Sequence, residues 1–181
     1  MITIGGGLYR SRKIEVPSYL EVPTKSIVRL GVGNALSSYL EGAAVLDLFA
    51  GSGAVGIELL SRGASNCVFC DCNHEAIKTI NDNLSNLGIA DSLVKQGDYR
   101  DNLNRLKNEG RRFSIVFIDP PYCDINAYEY SVSFLLNCNM LEEKGIVVIE
   151  YEGDNPLKNK SGFVRERVYH YGRTHVAIYW R

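Results

Sequence analysis

Short apolar runs alternate along this chain with longer segments in which apolar residues recur every three or four positions. The runs are mostly apolar on both faces, which is typical of strands in a buried parallel sheet. They cover residues 44–49, 67–72, 92–95, 114–118 and 146–151. The segments between them have the period of amphipathic helices and cover residues 55–60, 74–87, 100–107 and 127–136. This alternation predicts an α/β fold with a doubly wound, mostly parallel sheet.

The carboxyl-terminal part departs from this alternation, because two strand-like runs follow each other without a helix between them. Residues 164–171 and 175–180 are separated by a turn at Gly172-Arg173. The two runs therefore predict a C-terminal antiparallel hairpin, which brings the sheet to seven strands.

The amino-terminal part predicts a separate small element. Short extended pieces joined by Gly5-Gly6-Gly7 predict a hairpin-like arm, and a helical pattern follows over residues 26–39. Gly31 and Gly33 weaken that helix by about 1 kcal/mol each relative to Ala. We therefore expect a small N-terminal extension, residues 1–40, on one larger domain, residues 41–181.

Composition adds limits to this picture. The chain has 181 residues, of which 45% are hydrophobic and 23% charged, as in an ordinary globular domain. No apolar run reaches membrane-helix length and the first residues lack signal-peptide features, so we expect a cytoplasmic protein without membrane contact. The five cysteines are odd in number, and the three histidines lack metal-ligand spacing. We expect free thiols, with Cys67 and Cys70 on opposite faces of one strand, and no bound metal.

Charge is distributed unevenly along the chain. The net charge is −1, but residues 1–40 contain five cationic and two acidic side chains, which is a local charge of +3. This asymmetry favours an anionic partner for the amino-terminal part.

A glycine-rich turn follows the first strand of the larger domain. Residues 47–56 read Asp-Leu-Phe-Ala-Gly-Ser-Gly-Ala-Val-Gly, which contains Gly-x-Gly-x-x-Gly at a strand-to-helix turn. Such a turn lets a nucleotide approach the backbone closely, and dinucleotide-binding oxidoreductases share it. Asp47 would repel a diphosphate and favour a cationic ligand; it could also accept hydrogen bonds from N–H groups of the turn.

Two further acids end neighbouring strands. Asp71 follows Gly51 by 20 residues, the distance expected of a carboxylate that binds ribose hydroxyls. Asp98 follows the short third strand, where it could accept from an adenine amino group or cap the next helix. These acids indicate a nucleoside ligand.

The strand at residues 114–118 ends in Asp119-Pro120-Pro121-Tyr122. Two successive prolines make a stiff turn without backbone N–H groups, so an acid, a bare carbonyl and a ring converge there. The carboxyl ends of strands are where open α/β sheets bind ligands. This turn suits a flat amine as substrate.

These motifs together resemble known proteins. Asp47 to Gly53, Asp71, Asp98 and Asp119 to Tyr122 resemble the successive signatures of Rossmann-like class I S-adenosylmethionine methyltransferases that modify exocyclic amines. A larger set of segments resembles the RsmD family of bacterial 16S rRNA guanine-N2 methyltransferases: Ile4-Gly5-Gly6, Arg10, Arg12-Lys13, Val16-Pro17, Pro23-Thr24, Val28-Arg29 and residues 45–56. After Pro23-Thr24, the chain lacks the acid and the phenylalanine that are usual in the family's helix.

The resemblance implies a role for each matching residue. S-adenosylmethionine would be bound by Asp47, Phe49, Ala50, Gly51, Ser52, Gly53, Asp71, Asp98 and Tyr99. Methyl transfer would be carried out at Asp119, Pro120, Pro121 and Tyr122, with the tyrosine stacked on the target base. RNA would be contacted by Arg10, Arg12, Lys13, Thr24 and Arg29. The implied partner is ribosomal RNA within the small ribosomal subunit, and we expect a monomer.

Three other functions remain open at this point. The proline turn would also suit an amino methyltransferase that acts on DNA adenine or a protein glutamine. The glycine spacing alone fits an NAD(P)-dependent oxidoreductase. An inactive ribosome-binding module could keep the fold without the chemistry.

Overall fold

The computed structural model describes residues 1–20, 26–121 and 124–181. The strands are β1 (Ile2–Thr3), β2 (Lys13–Ile14), β3 (Ala44–Asp47), β4 (Asn66–Asp71), β5 (Ser92–Gln96), β6 (Phe113–Ile118), β7 (Leu141–Glu152), β8 (Arg165–Tyr171) and β9 (Thr174–Trp180). The helices are α1 (Ser26–Ala35), α2 (Ala54–Ser61), α3 (His74–Leu87), α4 (Tyr99–Asn108) and α5 (Asn126–Asn137), with a 3-10 turn at Ser37–Tyr39. None of the helices in these ranges is long and apolar enough to cross a bilayer.

The larger domain is built on a mixed sheet of seven strands within the described residues, in the order β5-β4-β3-β6-β7-β9-β8. Strands β3 to β7 pair in parallel, and β9 lies antiparallel between β7 and β8. The predicted fold class and the C-terminal hairpin are therefore confirmed. Strand β7 begins at Leu141 rather than at residue 146. The sequence did not indicate this start, because the polar residues at 142–144 interrupt the apolar pattern.

Two separate cores cover the two faces of the sheet. On the first face, β3, β4, β6, β7 and β9 pack against α1, α2, α3 and the arm. On the second face, the same strands pack against α4 and α5. Cys67 belongs to the first core and Cys70 to the second, as the alternation of side chains along a strand requires.

The amino-terminal arm docks on the end of α2. Strands β1 and β2 pair antiparallel, and the side chains of Ile4 and Ile14 are buried in the first core. The Gly5 N–H donates to Glu58 Oε2 at 2.8 Å, and the Ser61 hydroxyl donates to the Gly6 carbonyl at 2.5 Å. The arm is thus held by both backbone and side-chain contacts.

Helix α1 forms although it contains two glycines. Both glycines lie at positions that lack room for a side chain. A Cβ at Gly31 would lie 1.9 Å from the Tyr171 hydroxyl oxygen, and one at Gly33 would lie 2.5 Å from Arg62 Nε. The glycines let α1 approach the hairpin on one side and α2 on the other. Tertiary packing offsets the low helix propensity that the sequence indicates.

Replacement of Gly56 by Ala tests the close packing of α2 on β4. A Cβ at Gly56 would lie 2.3 Å from the ring of Phe69 and 2.8 Å from Cys67 Sγ, and both of these side chains are fully buried. We expect Gly56→Ala to lower the free energy of unfolding by about 1–3 kcal/mol, because overpacking outweighs the gain in helix propensity. Urea denaturation measures this loss, with Lys78→Ala on the exposed side of α3 as control. Equal stability of the two variants would contradict the packing argument.

Candidate active site

A cavity of about 550 Å³ opens at the carboxyl ends of β3, β4, β5 and β6. This volume is in the range of small-molecule sites. The predicted residues that line the cavity are Asp47, Phe49, Ala50, Gly51, Ser52, Asp71, Asp98, Tyr99, Asp119, Pro120 and Pro121. The fold therefore brings the glycine turn, the strand-end acids and the proline turn around one space.

Two of the predicted residues fall outside the described ranges, and one faces away from the cavity. Tyr122 and Thr24 are not among the described residues. Gly53 precedes α2 with φ of 75°, and a Cβ there would contact Ile80 and Phe69 of the core. The contact between Gly53 and a ligand therefore stays a prediction; this glycine serves the turn itself, since its conformation is the left-handed one.

The glycine turn is fastened to the neighbouring strand. The Gly51 N–H donates to Asp71 Oδ2 at 2.8 Å, and the Ala50 N–H donates to the Cys70 carbonyl at 2.9 Å. Gly51 has φ of 55°, which a side chain would disfavour. The turn thus holds its backbone open toward the cavity.

Asp47 bridges the sheet and the start of α2. Its Oδ2 accepts the Gly56 N–H at 3.0 Å, so the carboxylate lies at the positive end of that helix. Burial raises the pKa of Asp47 to about 7, the bond from Gly56 opposes this rise, and Asp71 adds to it. Both interpretations of Asp47 hold in part, because it is satisfied by an N–H group near the turn and it also borders the cavity.

Asp71 keeps the capacity to bind hydroxyl groups. Its Oδ2 accepts from Gly51 and its Oδ1 accepts the Asn73 N–H at 2.8 Å. Each carboxylate oxygen has two lone pairs, so each can accept one more hydrogen bond from a ligand. Asp98 caps α4 through a 2.8 Å bond from the Arg100 N–H and also lines the cavity.

The proline turn adds a half-buried acid that lines the cavity. Burial, followed by the nearby charges of Glu150 and Asp47, raises the pKa of Asp119 well above its usual range. The strand register explains these neighbours, because Ile118 pairs with Ile149 and the next residues are Asp119 and Glu150. Phe117 and Val148, two positions earlier, belong to the first core, so the two acids fall on that face.

The acids form a row across four adjacent strands. Asp71 and Asp47 end β4 and β3, Asp119 directly follows β6, and Glu150 lies two residues before the end of β7. The pKa of Asp47 or Asp119 responds to each neighbour in the row. Sequence reasoning missed Glu150, although its position at the end of a predicted strand was a usable signal. Like charges in a row favour a cation in the adjoining cavity.

The segment after β2 contributes residues that the sequence did not indicate. Tyr19 and Leu20 line the cavity opposite the glycine turn. Burial, then Asp71 and other nearby groups, raises the pKa of Tyr19 to about 12. One sign of a contact with this segment was present in the sequence: Asn83 is a polar residue in the apolar stripe of α3, and the structure buries it.

Asn83 ties this segment to the glycine turn. Its Oδ1 accepts the Glu15 N–H at 2.8 Å, and its Nδ2 donates to the carbonyls of Glu15 at 3.0 Å and Ser52 at 3.2 Å. The arm and the glycine turn therefore share one buried side chain.

The predicted RNA-binding residues divide into two groups. Arg10, Arg12 and Lys13 are exposed on the arm, and Arg12 also donates to the Asn86 carbonyl at 3.0 Å. Arg29 is only 3% exposed, and its Nη2 donates to the Thr3 carbonyl and to Ser26 Oγ, each at 3.2 Å. Arg29 therefore lies on the buried side of α1 and holds the arm, and its contact with RNA stays a prediction.

The fold and the cavity together define the class of protein. A parallel sheet with a C-terminal antiparallel pair, a glycine turn after its first strand and strand-end acids is the architecture of the class I methyltransferases. A solved structure, "Putative methyltransferase yhhF from Escherichia coli", superposes with a TM-score of 0.87 at 30% identity and covers 99% of this chain and 97% of that chain.

Sequence comparison narrows the class to a family. The family model described as "Conserved hypothetical protein 95" matches residues 2–180. "Putative rRNA methyltransferase YlbH" of Bacillus subtilis is 36% identical over 159 residues, 87% of this chain and 86% of that protein. "Ribosomal RNA small subunit methyltransferase D" of Haemophilus influenzae is 32% identical over 160 residues, 86% and 81% of the two chains. The chain belongs to this family, the RsmD family.

Replacement of Asp47 by Asn tests the electrostatics of the site. The pKa of Asp47 is about 7 in the folded chain against 3.8 as its ordinary value. The folded state therefore binds more protons between these values, and the contribution of Asp47 to stability is lost as the pH rises from about 4 to about 7. Because Asn does not titrate, the free energy of unfolding of Asp47→Asn should fall less over this range. The Asn side chain can still accept the Gly56 N–H.

Urea denaturation at about pH 5 and about pH 8 measures this difference. Asp82→Asn, at an exposed position of α3, is the matched control and should leave the pH dependence unchanged. Parallel pH profiles for wild type and Asp47→Asn would show that Asp47 does not titrate in this interval.

Proposed function

We propose that this chain transfers a methyl group from S-adenosylmethionine to the exocyclic N2 amine of a guanine in 16S ribosomal RNA. The observation that carries the proposal is the single cavity in which Asp119 and Pro120 lie beside Asp47, the glycine turn and Asp71. One half of this cavity suits an adenosyl methyl donor, and the other half suits a flat amine.

The chemistry of the first half fits S-adenosylmethionine. Asp71 has lone pairs available for ribose hydroxyls, and Asp98 can accept from an adenine amino group. Phe49 and Tyr99, with ring centroids 5.2 Å apart, form an apolar wall. The row of acids attracts a sulfonium and an ammonium group but repels the diphosphate of NAD(P), which disfavours an oxidoreductase. When bound, S-adenosylmethionine supplies the electrophilic methyl group.

The second half holds the amine. An exocyclic amine of guanine is a weak nucleophile, because its lone pair is delocalised into the ring. Asp119 and the Pro120 carbonyl accept its two N–H bonds, which orients the nitrogen and directs its lone pair out of the ring plane. Asp119 must be ionised to accept the N–H hydrogen bond and to stabilise the positive charge that develops on the nitrogen. A nearby cation favours that ionised form.

RNA is held by residues outside the cavity. Arg10, Arg12 and Lys13 are exposed on the arm, where they contact phosphates and orient the substrate. We assign Thr24 to the same contact and Tyr122 to stacking on the target base, which adds about 1–3 kcal/mol per base. The names of the relatives, an rRNA methyltransferase and a ribosomal RNA small subunit methyltransferase, support small-subunit RNA as the substrate. We propose that the chain acts as a cytoplasmic monomer.

Transfer of labelled methyl groups tests the function directly. The substrate is the small ribosomal subunit from cells that lack the modification, and the labelled base is then mapped. Label on N2 of a 16S guanine is the expected result. Label on a protein or on DNA in parallel reactions, with none on the subunit, would overturn the proposal in favour of another amino substrate.

Replacement of Asp119 by Ala should reduce methyl transfer at least 100-fold, roughly the lower limit for a positioned proton acceptor. Binding of S-adenosylmethionine should persist, since Asp47 and Asp71 remain. Asp119→Asn keeps one acceptor oxygen and should lose less activity than Asp119→Ala. Single-turnover kinetics and calorimetric titration measure the two properties. Full turnover by Asp119→Ala would rule out the role given to this carboxylate.

Replacement of Arg10 and Arg12 by Gln should weaken RNA binding and reduce its salt dependence. Each lost phosphate contact lowers the slope of log K against log salt by about 0.7–0.9. The measurement is filter binding of an unmodified 16S transcript at several salt concentrations. An unchanged slope would remove these two arginines from the RNA contact.

A further inference from the structure

Strand β8 carries two arginines whose guanidinium groups lie over aromatic rings. The guanidinium carbon of Arg165 lies 4.7 Å from the centre of the Trp180 ring, and that of Arg167 lies 4.9 Å from the centre of the Tyr169 ring. Both arginines are exposed. We call these four residues the β8 strip. Neither the sequence motifs nor the cavity accounts for them.

The strip lies on the same face of the sheet as the arm. Tyr169 and Trp180 pack against the first core, to which Ile4 and Ile14 of the arm also belong. Arg165 pairs with Trp180 in the β8–β9 register, so the two side chains share that face.

Helix α1 connects the strip with the arm. Tyr171, at the end of β8, closely approaches Gly31 of α1, and Arg29 of α1 donates to the Thr3 carbonyl in the arm. Helix α1 therefore lies between the arm and the carboxyl end of β8, next to the strip.

The strip begins near the active-site edge of the sheet and extends away from it. Strand β8 runs parallel to β7, because each is antiparallel to β9. Tyr171 pairs with Thr174, which pairs with Glu152 at the carboxyl end of β7. The end of β8 thus lies at the edge of the sheet that carries Asp119, and the strip leads away from that edge.

The positive charge of the strip is not neutralised by its neighbours. Glu166, between the two arginines, points to the opposite face of the strand, where Lys160 Nζ contacts both of its carboxylate oxygens at 2.7 Å. Within residues 1–20, 26–121 and 124–181, neither Arg165 nor Arg167 forms an ion pair. A chain of net charge −1 thus keeps two exposed cations side by side.

We propose that the β8 strip is a second RNA-binding surface, which contacts phosphates that flank the target guanine while the arm contacts others. This inference rests on the proposed function in one respect, namely that the substrate is RNA. A guanidinium that lies flat on a ring keeps its N–H edge free and loses little freedom on binding a phosphate. Arginines two positions apart on a strand are about 7 Å apart, comparable with successive phosphates of one RNA strand.

The test is the double variant Arg165→Gln/Arg167→Gln. Its matched control is Lys107→Gln/Arg112→Gln, which removes the same charge from exposed positions in and after α4, the helix on the opposite face. An unmodified 16S transcript is the probe for filter binding at several salt concentrations. The strip variant should bind roughly 10- to 50-fold more weakly at about 0.1 M salt, with a slope smaller by about 1.4, whereas the control should stay close to wild type.

Kinetics separate RNA contact from damage to the active site. In the strip variant, KM for RNA should rise while kcat at saturating RNA stays within about twofold and binding of S-adenosylmethionine is unchanged. Arg165→Lys/Arg167→Lys, which keeps the charge but not the planar fork, should recover part of the affinity.

Three outcomes would overturn the inference. An unchanged slope in the strip variant removes the phosphate contacts. An equal loss in the control shows only the long-range effect of charge. Self-association of the strip variant with RNA affinity intact shows that the arginines protect the exposed edge of β8. Because filter binding needs no turnover, a failure of the proposed methyl transfer is distinguished from a failure of the strip.

Discussion

The Gly56 N–H donates a hydrogen bond to the buried carboxylate of Asp47, and this contact joins β3, an interior strand of the sheet, to the first turn of α2. The glycine turn lies between β3 and α2, so this hydrogen bond holds both of its ends. Gly56 also lets α2 lie directly on Phe69 and Cys67. The same position therefore provides the N–H group that holds Asp47 and the close packing that brings the helix to the acid.

Burial raises the pKa values of acids at the sheet edge. Asp47 is buried and Asp119 is half-buried, and the pKa of each is raised first by desolvation and then by other acids in the row. A buried carboxylate next to others is costly to ionise in the absence of a cation. The arrangement thus makes the ionisation of the acceptor residue depend on a positive charge in the neighbouring half of the cavity.

Site residues could be predicted from the sequence where their position along the chain determines their place in the fold. Asp71, Asp98 and Asp119 follow strands of a parallel sheet, so their meeting at one edge follows from the order of the elements. The surroundings of Arg29 and Gly53 were not evident from the sequence, because burial depends on contacts with distant segments, Thr3 for the one and Ile80 for the other. Tyr19 and the β8 strip were missed because no local sequence pattern indicates which face of the sheet a loop or an edge strand contacts.

Asn83 gives the arm and the glycine turn a common anchor. It binds both backbone groups of Glu15 and the carbonyl of Ser52 from a position that is 1% exposed. A ligand that shifts either segment must therefore disturb the hydrogen bonds of the other. By thermodynamic reciprocity, if binding at the arm changes the affinity of the turn for its ligand, that ligand changes the affinity at the arm by the same factor. One buried amide thus links two binding equilibria that lie on separate parts of the surface.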